Sequence, residues 1–209
     1  MKPIELGAEK NNWQLFKVML SIGFICAISI VFAYQLTAST IKENQREFLD
    51  HAIATIYPTV HKKSKINIAN QKTENIFAIY DQDDQKIGYI ISAEGMGYQD
   101  SIKLLYGYSP LDESIIGIKV IASRETPGLG DRIIKDSEFL SNFTRLPMPV
   151  SQYGKLLHPL ENVKSSTKKE PWQIDSISGA TISSRAVVDI INKSSQQWIP
   201  TLKEIEIGN

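Results

Sequence analysis

The chain has 209 residues, with 23 Lys+Arg against 23 Asp+Glu, 42% hydrophobic residues and a single cysteine. That length allows one domain with at most an appendage, and the apolar content excludes a disordered chain. Balanced charge excludes a globally basic nucleic-acid binder. One cysteine excludes a disulfide framework and any zinc centre built on several thiolates.

The balance is uneven along the chain. From Val18 to Ile41 no residue is charged, and the apolar core of this run is Val18–Tyr34. About 20 apolar residues cross a bilayer as a helix. A secretory signal has a shorter apolar region, about 7–15 residues, closed by a small-residue cleavage site. Thr37-Ala38-Ser39 is a poor site of that kind, and Ile25 is not the small residue that lipidation of Cys26 would need. The run therefore reads as a retained transmembrane helix, with a cleaved signal or a buried core helix as the alternatives. Lys2, Lys10 and Lys17 precede it, and only Lys42 and Arg46 come soon after. This slight bias favours a cytoplasmic N-terminus, which puts the rest of the chain outside the cytoplasm, in the periplasm of a double-membrane bacterium. The expected division is a cytoplasmic N-terminus over 1–17, a transmembrane helix over 18–40, a stalk helix and connector over 41–74, an extracytoplasmic domain over 75–199 and a tail over 200–209.

Ile41, Phe48, Leu49, Ala52, Ile53 and Ile56 share one helical face, which predicts a helix over 40–57 stopped by Pro58. Residues 59–74 are polar and basic and read as a connector, either a solvated loop or a contact for anionic headgroups. The period then changes. Ile76–Tyr80, Ile87–Ala93, Ile102–Tyr108 and Ile115–Ala122 are short runs rich in Ile and Tyr, separated by turn-forming stretches such as Asp81–Gln85. They predict an antiparallel meander. A short helix is expected around Phe139, Leu140 and Phe143, and a surface loop over 159–171. A final helix is expected from Ser183 to Trp198, with Val187, Ile190, Ile191 and Trp198 as its buried stripe and Pro200 as its end. The fold class is α+β: an N-terminal transmembrane helix, then a domain with a mostly antiparallel sheet and flanking helices.

Two short stretches can carry chemistry. In Asp175-Ser176-Ile177-Ser178-Gly179-Ala180-Thr181-Ile182-Ser183-Ser184 the plain reading is a hydroxyl-rich helix start. The functional reading is an anion site: a helix N-terminus offers unpaired N–H groups and partial positive charge. Gly179 and Ala180 let a bulky ligand approach the backbone, and Thr181 adds a hydroxyl. A hydroxyl is a weak nucleophile, so a covalent bond there needs another enzyme. In Glu125-Thr126-Pro127-Gly128-Leu129-Gly130-Asp131 the Pro-Gly pair specifies a type II turn with φ > 0 at Gly128, and Gly130 keeps the loop thin enough for a planar ligand. An ordinary turn after a strand fits as well.

Taken together and in this order, ETPGLGD (125–131) and DSISGAT (175–181) resemble the FMN-binding domain of bacterial membrane redox complexes. The resemblance is to the G subunit of the Rnf ion-translocating electron transport complex, with the C subunit of the sodium-translocating NADH:quinone reductase as its relative, and it covers nearly the whole chain. Gly97-Tyr98 is similar to the pattern of the Rnf protein, whereas Ile182-Ser183-Ser184-Arg185 is nearer to the quinone reductase protein. The resemblance implies FMN attached through its phosphate to Thr181 by a separate flavin transferase that uses FAD. Asp175, Ser178, Gly179 and Ala180 match the rest of that motif. Glu125, Thr126, Gly128, Leu129 and Gly130 are implied to line the isoalloxazine ring. It further implies an electron relay in a multi-subunit inner-membrane complex, with other membrane subunits, the transferase and lipid as partners and no nucleic acid. A component of a sodium-translocating NADH:quinone reductase, a flavin-bearing sensor and a cofactor-free interaction domain are the alternatives. His51, His61 and His158 are too scattered for a metal site. Trp172, just before the second motif, reads as a core residue.

Overall fold

The computed structural model describes residues 9–66, 75–151 and 155–207. The start of the expected cytoplasmic segment (1–8) and the second half of the expected connector (67–74) lie outside them. The chain divides into two compact units, residues 1–48 and 49–209.

Helix α1 (Glu9–Ile56) is 48 residues long and contains a segment long and apolar enough to cross a membrane. Its side chains from Trp13 to Leu36 are exposed, so the run is no core helix of a soluble fold. The hydroxyls inside it are silenced locally. Ser21 donates to Val18 O at 2.9 Å, Ser29 to Ile25 O at 2.8 Å and Thr37 to Ala33 O at 2.9 Å. An apolar solvent, which offers no partners, demands this arrangement. At the N-terminal end Trp13 stacks on Phe16 and lies under the Lys17 ammonium, an amphipathic cluster suited to a headgroup layer. The helix ends at Ile56, because Pro58 disfavours the α-conformation at Tyr57.

In the second unit, β1 (Lys62–Ile66), β2 (Ile76–Tyr80), β3 (Lys86–Met96), β4 (Ser101–Ser109), β5 (Ser114–Ser123) and β6 (Leu146–Pro147) form a six-stranded sheet in sequence order. Every pairing is antiparallel. The four central runs match the meander read from the sequence. One face packs the last turns of α1, through Ala52, Ile53, Ile56 and Tyr57, against Ile79, Ile90 and Leu105. The other face, with Tyr89, Ile91, Leu104 and Tyr106, forms the main core beneath the C-terminal helix. Gly107 keeps the α1 side open, since a Cβ there would lie 2.5 Å from Ile56 Cγ2.

Helices α2 (Arg132–Lys135) and α3 (Ser137–Ser141) come after β5. The short parallel pair β7 (Glu161–Val163) and β8 (Gln173–Asp175) then delivers the chain to α4 (Thr181–Ile207). Along α4, Ser184, Val187, Ile191, Trp198 and Leu202 are fully buried, the stripe expected of an amphipathic helix. Gly95 of β3 lets α4 approach closely, since a Cβ there would meet Ile190 Cγ1 at 2.6 Å.

Three elements depart from the sequence reading. Residues Glu161–Val163, inside the surface loop expected over 159–171, pair with β8 as a strand. Residues Lys62–Ile66, read as connector, pair with β2 as an edge strand. Partners outside the strand hold it: Lys63 bonds Asp50, and Lys65 bonds Asn75 at 2.7 Å. Pro200 does not end the last helix. It lies inside α4 and costs the bond that its missing N–H would give to Gln196. Burial of Ile199 and Leu202, with ion pairs Lys203–Glu113 at 2.5 Å and Lys86–Glu206 at 3.0 Å, carries the helix past it.

Candidate functional site

The two sequence motifs meet at the start of α4. Each builds a tight turn with glycine at its third position. In Thr126–Leu129 the Leu129 N–H donates to Thr126 O at 3.2 Å, and Gly128 has φ +78°. This is the left-handed conformation that Pro-Gly predicts for a type II turn. In Ile177–Ala180 the Ala180 N–H donates to Ile177 O at 3.0 Å, and Gly179 has φ +83°. Ser184 closes this second turn, accepting from Ile177 N–H at 3.1 Å and donating to Ala180 O at 3.0 Å.

Between the turns lies a groove of about 370 Å³ lined by Thr126, Leu129 and Gly130 on one side and by Gly179 to Ser183 on the other, with Tyr98 from the β3–β4 turn at its edge. Its size lies within the usual range of small-molecule sites, about 300–1,000 Å³. Tyr98, Leu129 and Ile182 leave apolar surface exposed around it. Among the described residues, no acceptor is present for the backbone N–H groups of Thr181, Ile182 or Ser183, and α4 has no acidic residue in its first turn. The helix thus presents open donors at its positive end beside the exposed Thr181 hydroxyl. A phosphate at the helix start with a planar apolar group between Leu129, Tyr98 and Ile182 suits these residues, so the groove fits a flavin mononucleotide.

The residues singled out in the sequence fall into distinct places. Thr126, Leu129, Gly130, Gly179, Ala180 and Thr181 line the groove. Gly128 shapes the turn behind it. Glu125 is buried behind the groove, 4% exposed, with Oε1 accepting from Gln99 N–H at 3.0 Å and Oε2 from Ser183 Oγ at 2.5 Å. Asp175 and Ser178 line a separate recess of about 120 Å³. There Asp175 Oδ1 accepts from Thr167 N–H at 3.0 Å and Lys168 N–H at 3.1 Å, ordering the loop ahead of β8. Trp172 stacks on His158 with ring centroids 4.2 Å apart and packs against the main core.

Electrostatics stiffen the first motif. Asp131 accepts from Gly128 N–H at 2.7 Å and from Lys135 Nζ at 2.8 Å. The Lys135 ammonium, then the Gly128 N–H, hold its carboxyl below the usual range. Asp136 is likewise lowered, first by the Phe139 N–H that it caps and then by Arg132. Sequence reasoning missed Tyr98, Gln99 and Arg132 as parts of the site, and it included Ile182 and Ser183 in the second stretch without giving them a role. Adjacency to a motif is the only signal for Arg132. Gln99 enters through a pairing with Thr126, 2.9 Å between Thr126 Oγ1 and Gln99 Oε1, which no local pattern announces.

This combination defines an FMN-binding domain, and the family of that description matches residues 97–196, from the β3–β4 turn into α4. The G subunit of the ion-translocating oxidoreductase complex of Methanosarcina acetivorans is 30% identical over 88% of this chain and 93% of its own length. The G subunit of the proton-translocating ferredoxin:NAD(+) oxidoreductase complex of Clostridium ljungdahlii is 27% identical over 92% and 96%. In fold, NqrC of Shewanella oneidensis superposes with a TM-score of 0.52 at 20% identity, covering 71% of this chain and 73% of that one. The chain belongs to the family of G subunits of ion-translocating oxidoreductase complexes. In that setting the uncovered apolar stretch of α1 is a membrane anchor.

Proposed function

We propose that this chain is the flavin-carrying electron relay of an ion-translocating oxidoreductase complex, with FMN joined through its phosphate to Thr181. The observation that carries this reading is the start of α4, where the exposed Thr181 hydroxyl stands beside N–H groups that nothing else in the described chain uses. Attachment is a phosphoryl transfer from FAD on a separate flavin transferase. Thr181 Oγ1 attacks the phosphorus on the flavin side of the pyrophosphate, a new P–O bond forms, and the P–O bond to the departing AMP breaks. The threonine proton passes to the transferase or to water. The N–H groups of Thr181 to Ser183 and the positive end of α4 stabilise the resulting phosphodiester.

Bound there, the flavin supplies reversible electron uptake and release. The chain's own residues fix its place. Leu129, Ile182 and Tyr98 offer the ring apolar walls that exclude water, and Gly130, Gly179 and Ala180 let it lie close to the backbone. The charge bias around α1 supports a single crossing with the N-terminus in the cytoplasm and the flavin domain outside. A covalent tether prevents loss of the cofactor to a medium with no pool to replace it. Other membrane subunits handle the electron donor, the acceptor and the ion, so this chain alone has no turnover. The test is in-gel flavin fluorescence of the full chain produced with a flavin transferase. A fluorescent band that is lost in Thr181→Ala supports the reading. A band of equal intensity in both contradicts attachment at Thr181.

A further inference from the structure

A helix start can be held by a local cap, but a cap occupies the first N–H groups. At α4 those groups stay open, and the turn is held from its flanks. Ahead of Thr181, Arg132 Nη1 donates to Ser178 O at 2.9 Å while Nη2 donates to Asp136 at 2.8 Å. Asp136 is itself anchored by the Phe139 N–H at 3.1 Å. Beyond Thr181, Ser183 Oγ donates to Glu125 at 2.5 Å, and the second carboxylate oxygen takes the Gln99 N–H at 3.0 Å. The neighbouring glycines clear room for that carboxylate. A Cβ on Gly97 would land on Glu125 Oε1, and one on Gly130 would lie 2.7 Å from Oε2. The segment 125–132 therefore grips the acceptor turn on both sides of Thr181 without using the donors a phosphate needs.

From this geometry we infer that Glu125 and Arg132 are positioning residues for flavin attachment. Neither residue lines the groove itself, although Glu125 bonds Ser183, which does. They act through Ser183 and Ser178, holding the Thr181 hydroxyl and the N–H groups of residues 181–183 in one register. The inference rests on Thr181 being the flavin acceptor, and it assigns the buried glutamate a role other than contact with the ring. Misplacing a reacting group by about 1 Å costs on the order of 100-fold in rate.

The experiment uses the full chain in detergent with a flavin transferase and FAD, following FMN incorporation over time. Glu125→Ala and Arg132→Ala should each incorporate FMN about 10- to 100-fold more slowly than wild type. Glu125→Gln keeps an acceptor for the Gln99 N–H and a partner for Ser183, and should restore a rate close to wild type. A second readout needs no flavin. Amide hydrogen exchange of the unloaded chain should speed up over residues 178–184 in both alanine variants, with β3 and β4 unchanged. If Glu125→Ala exchanges throughout the domain, Arg132→Ala, whose side chain is 43% exposed, decides alone. Wild-type incorporation in Arg132→Ala, or unaltered exchange over 178–184, overturns the inference. A wild-type chain that takes up no FMN contradicts the flavin reading instead, and the exchange measurement then judges the clamp by itself.

Discussion

The turns Thr126–Leu129 and Ile177–Ala180 are near twins in backbone. Each closes with a hydrogen bond, and each places a glycine at φ near +80°, +78° for Gly128 and +83° for Gly179. They differ in the stretch of chain just after the turn. After the first, the chain's own groups take up the donors: Asp131 N–H returns to Thr126 O at 3.2 Å, and Asp131 Oδ1 accepts from Gly128 N–H. The helix there is only four residues long. After the second comes a helix of 27 residues whose first N–H groups have no partner among the described residues. The same turn chemistry thus serves as a closed structural corner in one place and leads into an open row of donors in the other. Whether the donors after the turn are used decides between them.

The two turns should separate most sharply at their threonines. Thr181→Ala should fold and lose all covalent FMN. Thr126→Ala gives up an exposed bond to Gln99, should cost under about 1 kcal/mol and should keep its FMN, both read from flavin fluorescence and thermal unfolding. The glycines come next. A Cβ on Gly128 meets nothing within 4 Å, and one on Gly179 meets only Leu129 Cδ2 at 4.0 Å. Alanine at either position should therefore cost only the backbone penalty, about 1–2 kcal/mol. Only Gly179→Ala should also slow FMN attachment, because it tilts the open donors. Equal attachment rates in the two variants would erase the distinction between the turns.

Smallest is the effect of pH. Asp131 is held below the ordinary carboxylate range, so its support is fully present above that range and fades as pH falls through its lowered folded value. The amide resonance of Gly128 should stay constant from neutral pH down through the ordinary carboxylate range and move only below it. No carboxylate among the described residues accepts from the Gly179 turn, so its amide should not respond in this way. A Gly128 shift centred near neutrality would show that another group governs the first turn.

Much of this was legible in the sequence because it rests on local pattern. The strands around Ile76, Ile87, Ile102 and Ile115 announce themselves by β-branched runs between turn residues, and Pro127-Gly128 names its own turn. Strand β1 was not legible. Its residues, Lys62-Lys63-Ser64-Lys65-Ile66, carry one apolar side chain, and the strand exists because β2 and Asp50 receive it. Pro200 misled for the same reason, since buried Leu202 and the Lys203–Glu113 pair lie outside any local rule. At the site, Thr181 and the small residues before it could be read from helix-start chemistry. That Glu125 lies behind the groove, tied to Ser183 and Gln99, depends on contacts between distant segments. So does the reach of Arg132 to the Ser178 carbonyl.

The proposed bond between Thr181 and the flavin phosphate is open to direct measurement. Mass spectrometry of the full chain, produced beside a flavin transferase and digested, reads it. The peptide containing Thr181 should carry FMN less one water, and the modification should vanish in Thr181→Ala. An unmodified Thr181 peptide from cells with an active transferase, or the adduct found on another residue, would contradict attachment at the start of α4.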